Sequence, residues 1–317
     1  MEPIIKTKKL SKSYANVLAV DNLDLSIYQG EVFGLLGPNG AGKSTTILML
    51  MGLCEPSKGI AEVCGYNATI DTLAVKKKVG FLPDNVGFYN HRSGLDNLEF
   101  IGMLNGLTQN KVRKKAHQLL EKVGLQKDAH RKVGEYSKGM KQRLGLAEVL
   151  IKDPQVIILD EPTIGIDPSG VKDFLELIVS LSKHERITVL FSSHQLHQVQ
   201  RVCDRVGIFV KGKLLACGDL QTLSHNLFQT DAFASEFQLQ ASVGDISAFK
   251  MELKEKLPDI SRVEKQKRNT WVVNSKKDIR AELSDFLVSK KHNILLLKEK
   301  HYGLDEIYQQ YFEGGNR

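Results

Sequence analysis

Long apolar runs are missing from this chain. None approaches the ~18 residues that a membrane-crossing helix needs; the longest are short pieces such as Val156–Leu159 and Ile294–Leu297. The opening residues Met1 to Lys9 have no apolar core of the signal-peptide kind, so the chain is expected to stay in the compartment where it is made. Cys54, Cys64, Cys203 and Cys217 show no close paired spacing. That excludes the common metal and redox motifs and predicts four reduced thiols. Low-complexity tracts and sustained heptads are also absent, which excludes a long coiled-coil arm.

What is present suits a globular protein of two domains. The chain has 317 residues, of which 42% are hydrophobic and 26% charged, enough to build a substantial core under a charged surface. A net charge of +7 suits nucleotides, nucleic acid or anionic lipid as partners and selects none of them. Lys76-Lys77-Lys78 and Lys111–Lys115 fall on expected helices and read as solvated faces.

One stretch organises the rest: Gly37-Pro38-Asn39-Gly40-Ala41-Gly42-Lys43-Ser44-Thr45. It satisfies G-x-x-x-x-G-K-[ST], in which backbone N–H groups cradle phosphates, the Lys reaches them and the hydroxyl meets Mg²⁺. Glu31–Leu36 before it has strand character, and Thr45–Met51 after it is helix-forming and closed by Gly52. That order aims a helix N-terminus at an anion. The competing reading is a plain glycine turn between two elements.

Strands are expected at Ile4–Leu10, Val17–Val20, Leu23–Tyr28, Gly59–Cys64, Val79–Leu82, Val156–Leu159, Thr188–Phe191 and Val206–Val210, with a turn over Ser11–Asn16 that holds Tyr14. Helices are expected near Ile70–Lys78, Ser93–Asn105, Gln109–Val123, Lys138–Ile151, Pro168–Ser182 and Gln195–Cys203. Alternation of this kind predicts an α/β domain whose mainly parallel sheet has helices on both faces. Runs such as Val-Ile-Ile-Leu suit strands buried on both sides.

The pattern changes near Gly218–Ser235, and no chemical motif follows. Glu236–Val243 reads as a strand, Asp245 as the cap of a helix to Leu257, and Ser261–Lys267 with Thr270–Asn274 as a hairpin around Arg268-Asn269. Ser275 with Asp278 suggests a capping box for a helix to Lys290, and Ile294–Lys298 a last strand. This order is the split βαβ, ferredoxin-like arrangement. Leu304, Ile307, Tyr308, Tyr311 and Phe312 would form one apolar face of a closing helix. We therefore read residues 1–225 as the engine and 226–317 as an accessory α+β domain.

Two carboxylates, Asp160 and Glu161, end the apolar strand after Val156. Asp160 is suited to hold Mg²⁺ through water while Ser44 binds it directly, and Glu161 to orient or deprotonate an attacking water; otherwise they form an exposed acidic turn. Ser137 and Gly139 open a helix that could receive a second anion, or that is merely capped. His194 ends another strand, where parallel sheets bind ligands, although a lone His there is often only a hydrogen-bonding partner.

Together these residues resemble the ATP-binding cassette (ABC) ATPases, in order and over about 220 residues. Gly37–Thr45 is similar to the Walker A loop, and Val156–Glu161 to the Walker B strand with its catalytic Glu. Tyr136–Met140 stands at the family signature, Gly165-Ile166-Asp167 at the D-loop, His194 at the switch His and Phe81–Asp84 at the Q-loop. The resemblance implies ATP and Mg²⁺ as cofactors, adenine stacked on Tyr14, catalysis by Glu161, His194 and Lys43, and metal contacts from Ser44, Asp84 and Asp160. It also implies a homodimer in which Ser137 and Gly139 serve the partner's nucleotide, and a multi-span permease that would hold the chain at the cytoplasmic face of the cell membrane. Nucleic acid is not expected.

Two departures stand out. Asp84 occupies a position usually held by Gln or Glu, and the signature reads Tyr-Ser-Lys-Gly-Met. A cassette followed by a small ferredoxin-like domain resembles the ATPases of ABC-2-type exporters. Within these, Leu82–Tyr89 with Ser93-Gly94, Tyr136–Gly145 and Leu304–Phe312 look most like the ATPase that serves nitrous oxide reductase maturation, a copper or sulfur-species transporter, for which a periplasmic partner is implied. The alternatives are a drug, lipid or polysaccharide exporter and, further off, a soluble cassette acting on ribosomes or nucleic acid.

Overall fold

Pro3–Tyr14 (β1) and Val17–Tyr28 (β2) form a long antiparallel hairpin with Ile5, Leu10, Leu23, Leu25 and Ile27 buried along it. The turn expected over Ser11–Asn16 is confined to Ala15-Asn16, with Ala15 at φ 47°. Polar side chains keep the preceding stretch paired: Asn22 N–H donates to Ser11 Oγ and Ser13 N–H to Ser57 Oγ, where bulges interrupt the ladder. The computed structural model describes residues 2–227, 233–300 and 303–314.

The phosphate-loop sheet starts with Val32–Leu36 (β3), buried throughout, and its loop leads into Lys43–Leu50 (α1). Lys58–Val63 (β4) returns beside β1, followed by the short Tyr66–Asn67 (β5), Thr72–Lys78 (α2) and Val79–Leu82 (β6). Gly94–Leu104 (α3) and Gln109–Lys122 (α4) then pair as helices. Ser93 and Asp96 close a capping box on α3 that the sequence pattern did not disclose. Lys138–Leu150 (α5), Val156–Asp160 (β7), Pro168–Glu185 (α6), Thr188–Ser193 (β8), Leu196–Val202 (α7), Arg205–Val210 (β9) and Lys213–Gly218 (β10) complete the first unit.

The six-stranded sheet runs β10-β9-β3-β8-β7-β6. All neighbours are parallel except β9 and β10. β3, β7 and β8 therefore end on one edge, and the phosphate loop, the Asp160-Glu161 pair and His194 follow those three ends. β8 is buried at every position, as expected of a strand covered on both faces.

Contacts divide the chain into Met1–Asp219 and Leu220–Arg317, earlier than the 225/226 boundary drawn from the sequence. The reason is Leu220–Leu227 (α8), which packs with the last helix, Leu304–Gly314 (α11). Between them come Phe233–Leu239 (β11), Ile246–Lys256 (α9), Ile260–Lys265 (β12), Thr270–Ser275 (β13), Arg280–Ser289 (α10) and Ile294–Glu299 (β14).

The sheet order β12-β13-β11-β14, antiparallel throughout, fits the split βαβ expectation. Arg268 and Asn269, at φ 56° and 57°, make the hairpin turn. Asp245 caps α9 by accepting from the N–H groups of Ser247 and Ala248. The capping box expected at Ser275 does not form: Ser275 ends β13 and donates to Lys277 O, and Asp278 accepts from Arg280 N–H instead. Trp271, Phe237, Leu253 and Leu283 are fully buried in this unit's core. On α11, Leu304 and Ile307 are buried and the Tyr311 hydroxyl donates to Leu223 O; the side chain of Phe312 lies outside the described residues. Among the described residues no helix is long and apolar enough to cross a membrane.

Candidate nucleotide-binding site

The loop after β3 can be built only with glycine at two of its positions. A Cβ on Gly37 would lie 2.3 Å from Phe209 O, and one on Gly42, at φ 105°, would lie 2.4 Å from Ala19 O. Pro38 O accepts from Ala41 N–H, while Asn39 and Gly40 form the exposed tip. Gly42 is the N-cap of α1 and offers no side chain to it, so the first N–H groups of α1 are available to an anion. Lys43 is buried; its Nζ donates to Gly37 O (2.7 Å) and Pro38 O (3.2 Å) and lies 3.4 Å from Glu161 Oε1. Ser44 is exposed beside it and Thr45 half-buried.

Glu161 follows β7 with a left-handed backbone, φ 48°, a conformation that a non-glycine residue holds only when its surroundings fix it. Its N–H donates to Ser192 O on β8. The carboxylate is buried; Oε2 shares a 3.0 Å hydrogen bond with His194 Nδ1, and Oε1 makes no hydrogen bond and faces Lys43 at ion-pair distance. Asp160, paired with Ser192 in the ladder, has Oδ1 buried without a partner, and Ser192 Oγ is in the same position. Buried, unpartnered oxygens are costly, and here they concentrate at the ends of β7 and β8. The structure thus links Lys43 and His194 through the two carboxylate oxygens of Glu161.

Other expected residues lie apart from that group. Tyr14 is exposed; its hydroxyl is 3.3 Å from Cys54 Sγ, and Lys12 Nζ sits 5.1 Å over its ring. The Cys54 hydrogen bond, then burial, push its pKa up, and a hydrogen bond from Thr45 opposes them. The Asp84 carboxylate accepts from Asn85 N–H (2.7 Å) and Asn85 Nδ2 (3.3 Å). A short acidic side chain there bonds locally to the residue that follows it. The Asp84 carbonyl accepts from Gln142 Nε2, and Gln142, buried with Oε1 unpartnered, is a residue the sequence reading missed. Ser137 caps α5 by accepting from Met140 N–H. A Cβ on Gly139 would sit 3.2 Å from Ile166. Gly139 thus lies against the Gly165–Asp167 loop, and Ser137 bonds within its own helix rather than to Lys43 or Glu161.

Three uncharged residues also escaped sequence reading. Thr163 Oγ1 donates to Gln198 Oε1 (2.5 Å), and Gln198 Nε2 donates to Gln195 Oε1 (2.7 Å). They line a cavity of about 390 Å³ between α6 and α7.

A glycine cradle at a helix start, an acidic pair at the end of the strand one removed from it in the same sheet and a His bonded to its Glu define a phosphate-loop ATPase. The family model described as ABC transporter matches residues 20–164. The bacitracin transport ATP-binding protein BcrA of Bacillus licheniformis is 41% identical over 215 residues, 68% of this chain and 69% of its own length. The linearmycin resistance ATP-binding protein LnrL of Bacillus subtilis is 35% identical over 262 residues, 79% of this chain and 84% of its own. The solved structure of cbiO1 from Clostridium perfringens, part of the ABC transporter complex cbiONQ, superposes with a TM-score of 0.65 at 25% identity, covering 81% of this chain and 97% of that one. The chain belongs to the ATP-binding subunits of ABC transporters. It is an ATPase, and ABC ATPases work as dimers with a membrane permease.

Proposed function

We propose that this chain energises an ABC-2-type exporter that removes an antibiotic-like compound from the cell. The observation that carries this reading is the reach of the likeness to the linearmycin resistance protein. It covers 79% of the chain, more than the first unit, Met1–Asp219, so part of the second unit is shared as well. The narrower likeness to nitrous oxide reductase maturation gives way, because the named relatives concern bacitracin and linearmycin. One of its signals also has a packing explanation. Tyr136 is buried, its hydroxyl donates to Asp128 O, and a Cβ on Gly94 would lie 2.4 Å from that hydroxyl. Tyr136 fits the helix pair below it and says nothing about copper. The periplasmic partner falls with that assignment.

In this reading the N–H groups of Gly37–Thr45 receive the phosphates and Lys43 exchanges its loop carbonyls for phosphate oxygens. The oxygens at the site suit Mg²⁺: Asp160 Oδ1 is buried without a partner, Ser44 is exposed next to Lys43, and Mg²⁺ takes few protein ligands plus phosphates. Ser44 and Asp160 would hold it, where it would neutralise charge on the phosphates. Glu161 accepts a proton from, or orients, the attacking water, with His194 holding its other oxygen. Tyr14 stacks the base, and Ser137 with Gly139 completes the site of a second copy. Producing the chain with its permease in a sensitive host should raise tolerance to bacitracin-type compounds. Unchanged tolerance with full ATP turnover would overturn the cargo and leave the ATPase.

A further inference from the structure

We infer that Gln198 is a positioning residue for ATP hydrolysis: with Thr163 it forms a buried tie that holds His194 against Glu161. The inference rests on the reading of Glu161 and His194 given above. Those two residues sit on separate segments, residues 161–163 after β7 and residues 193–198 from the end of β8 into α7. The reacting ends are joined by the 3.0 Å bond between Glu161 Oε2 and His194 Nδ1. A second bridge runs beside it, from Thr163 Oγ1 through the Gln198 amide to Gln195 Oε1, and Gln195 N–H donates in turn to Ser193 Oγ (3.0 Å). His194 lies between the two residues joined by that last bond.

Burial decides which bridge is rigid. The His194 side chain is 39% exposed, so water competes for its ring and other rotamers are open to it. Thr163 is 2% exposed, Gln198 3% and Ser193 0%. A polar chain out of water loses more when one member goes, because the stranded partners find no solvent. Glu161 also keeps its φ of 48° only while the residues after it are held. Thr163 is one of the groups that hold them: its carbonyl accepts from Ile166 N–H and its hydroxyl is fixed by Gln198. Gln198 bonds to Thr163 and Gln195 and not to the reacting groups, so it acts through other residues and is not itself catalytic.

The test is steady-state ATP hydrolysis by the full chain, with nucleotide affinity measured separately. Gln198→Leu and Thr163→Val should each lower kcat by about tenfold while the KM for ATP stays within about twofold, the pattern of an interaction that matters in the transition state. The double variant should be no worse than Gln198→Leu alone, since that change already removes the bond that Thr163→Val removes. Gln198→Glu keeps an oxygen for the Thr163 hydroxyl and can accept from a flipped Gln195 amide, and Thr163→Ser keeps the hydroxyl; both should restore most of kcat. Wild-type kcat in Gln198→Leu and Thr163→Val, with Glu161→Gln inactive, overturns the tie and keeps the catalytic pair. Turnover that survives Glu161→Gln removes the reading beneath it. A fall in kcat matched by an equal loss of ATP affinity, with no rescue by the conservative pair, shows a merely structural role and overturns the proposal too.

Discussion

Glu161 and His194 meet at 3.0 Å across the ends of two adjacent parallel strands, one carboxylate oxygen on the imidazole and the other facing Lys43. This places one acid between a cation that can move to phosphate and a ring that fixes its orientation. It predicts that Glu161→Gln keeps ATP affinity and loses at least about a hundredfold in turnover, the range expected when a positioned base is removed. Isothermal binding and phosphate release on the same preparation check it; unchanged turnover removes Glu161 from the reaction.

Lys43 behaves differently. Its ammonium is buried against two loop carbonyls and one carboxylate oxygen, so it is a cation already desolvated at the phosphate cradle. Lys43→Ala should weaken ATP binding by a factor of about thirty to a hundred, as expected for one strong charge-assisted hydrogen bond. Binding at wild-type strength would show that the cradle N–H groups suffice without it.

The pieces of this site differed in how plainly the sequence displayed them. The phosphate loop was legible because two glycines must stand where Cβ atoms would strike Ala19 O and Phe209 O. β7 was legible because a strand covered on both faces must be apolar. The β1–β2 hairpin was misread because Ser11 and Ser13 keep their pairing through side-chain hydrogen bonds, which no hydropathy pattern records. Thr163 and Gln198 carry no charge and sit at no motif spacing, so only contact could reveal them. β10 and α8 were passed over where the composition changes.

Ser137 caps α5 and bonds to Met140 N–H rather than to Lys43 of its own chain, which fits a role at the nucleotide of a second copy. A Ser137→Arg chain mixed with a Lys43→Ala chain should recover part of the turnover that each lacks alone. The mixed dimer keeps one intact site, built from Lys43 of the first and Ser137 of the second. Assays over a range of mixing ratios test this. Full-rate hydrolysis by a strict monomer would contradict it.

Glu148 predicts a pH effect on stability. Burial pushes its carboxyl up to about 7 from an ordinary 4.5, opposed by Lys152. The folded chain therefore binds this proton more tightly than the unfolded one. Stability falls as pH rises from 4.5 to 7, and the penalty is complete above that window. Its size is at most about 3 kcal/mol. Glu148→Gln should therefore raise the Tm by a few degrees at pH 8 and by nothing at pH 4.5. Equal gains at both pH values would assign the effect to packing.

The last prediction uses the one tryptophan of the chain. Trp271 is fully buried in the second unit, stacked on Phe237 (centroids 6.2 Å apart, planes 5°) and met edge-on by Phe249 at 5.0 Å. Its fluorescence therefore reports the core of Leu220–Arg317 and nothing of the first unit's core. All the phosphate chemistry lies in Met1–Asp219, and each unit has its own hydrophobic cluster, so the units are expected to unfold separately. A ligand stabilises only what binds it: ADP at a hundred times its Kd adds about 2.7 kcal/mol to the binding unit. Heating the full chain with and without ADP should move the main circular-dichroism transition upward and leave the Trp271 transition in place. If the fluorescence transition rises together with the other, the two units unfold as one, and the accessory role assigned to the second is wrong.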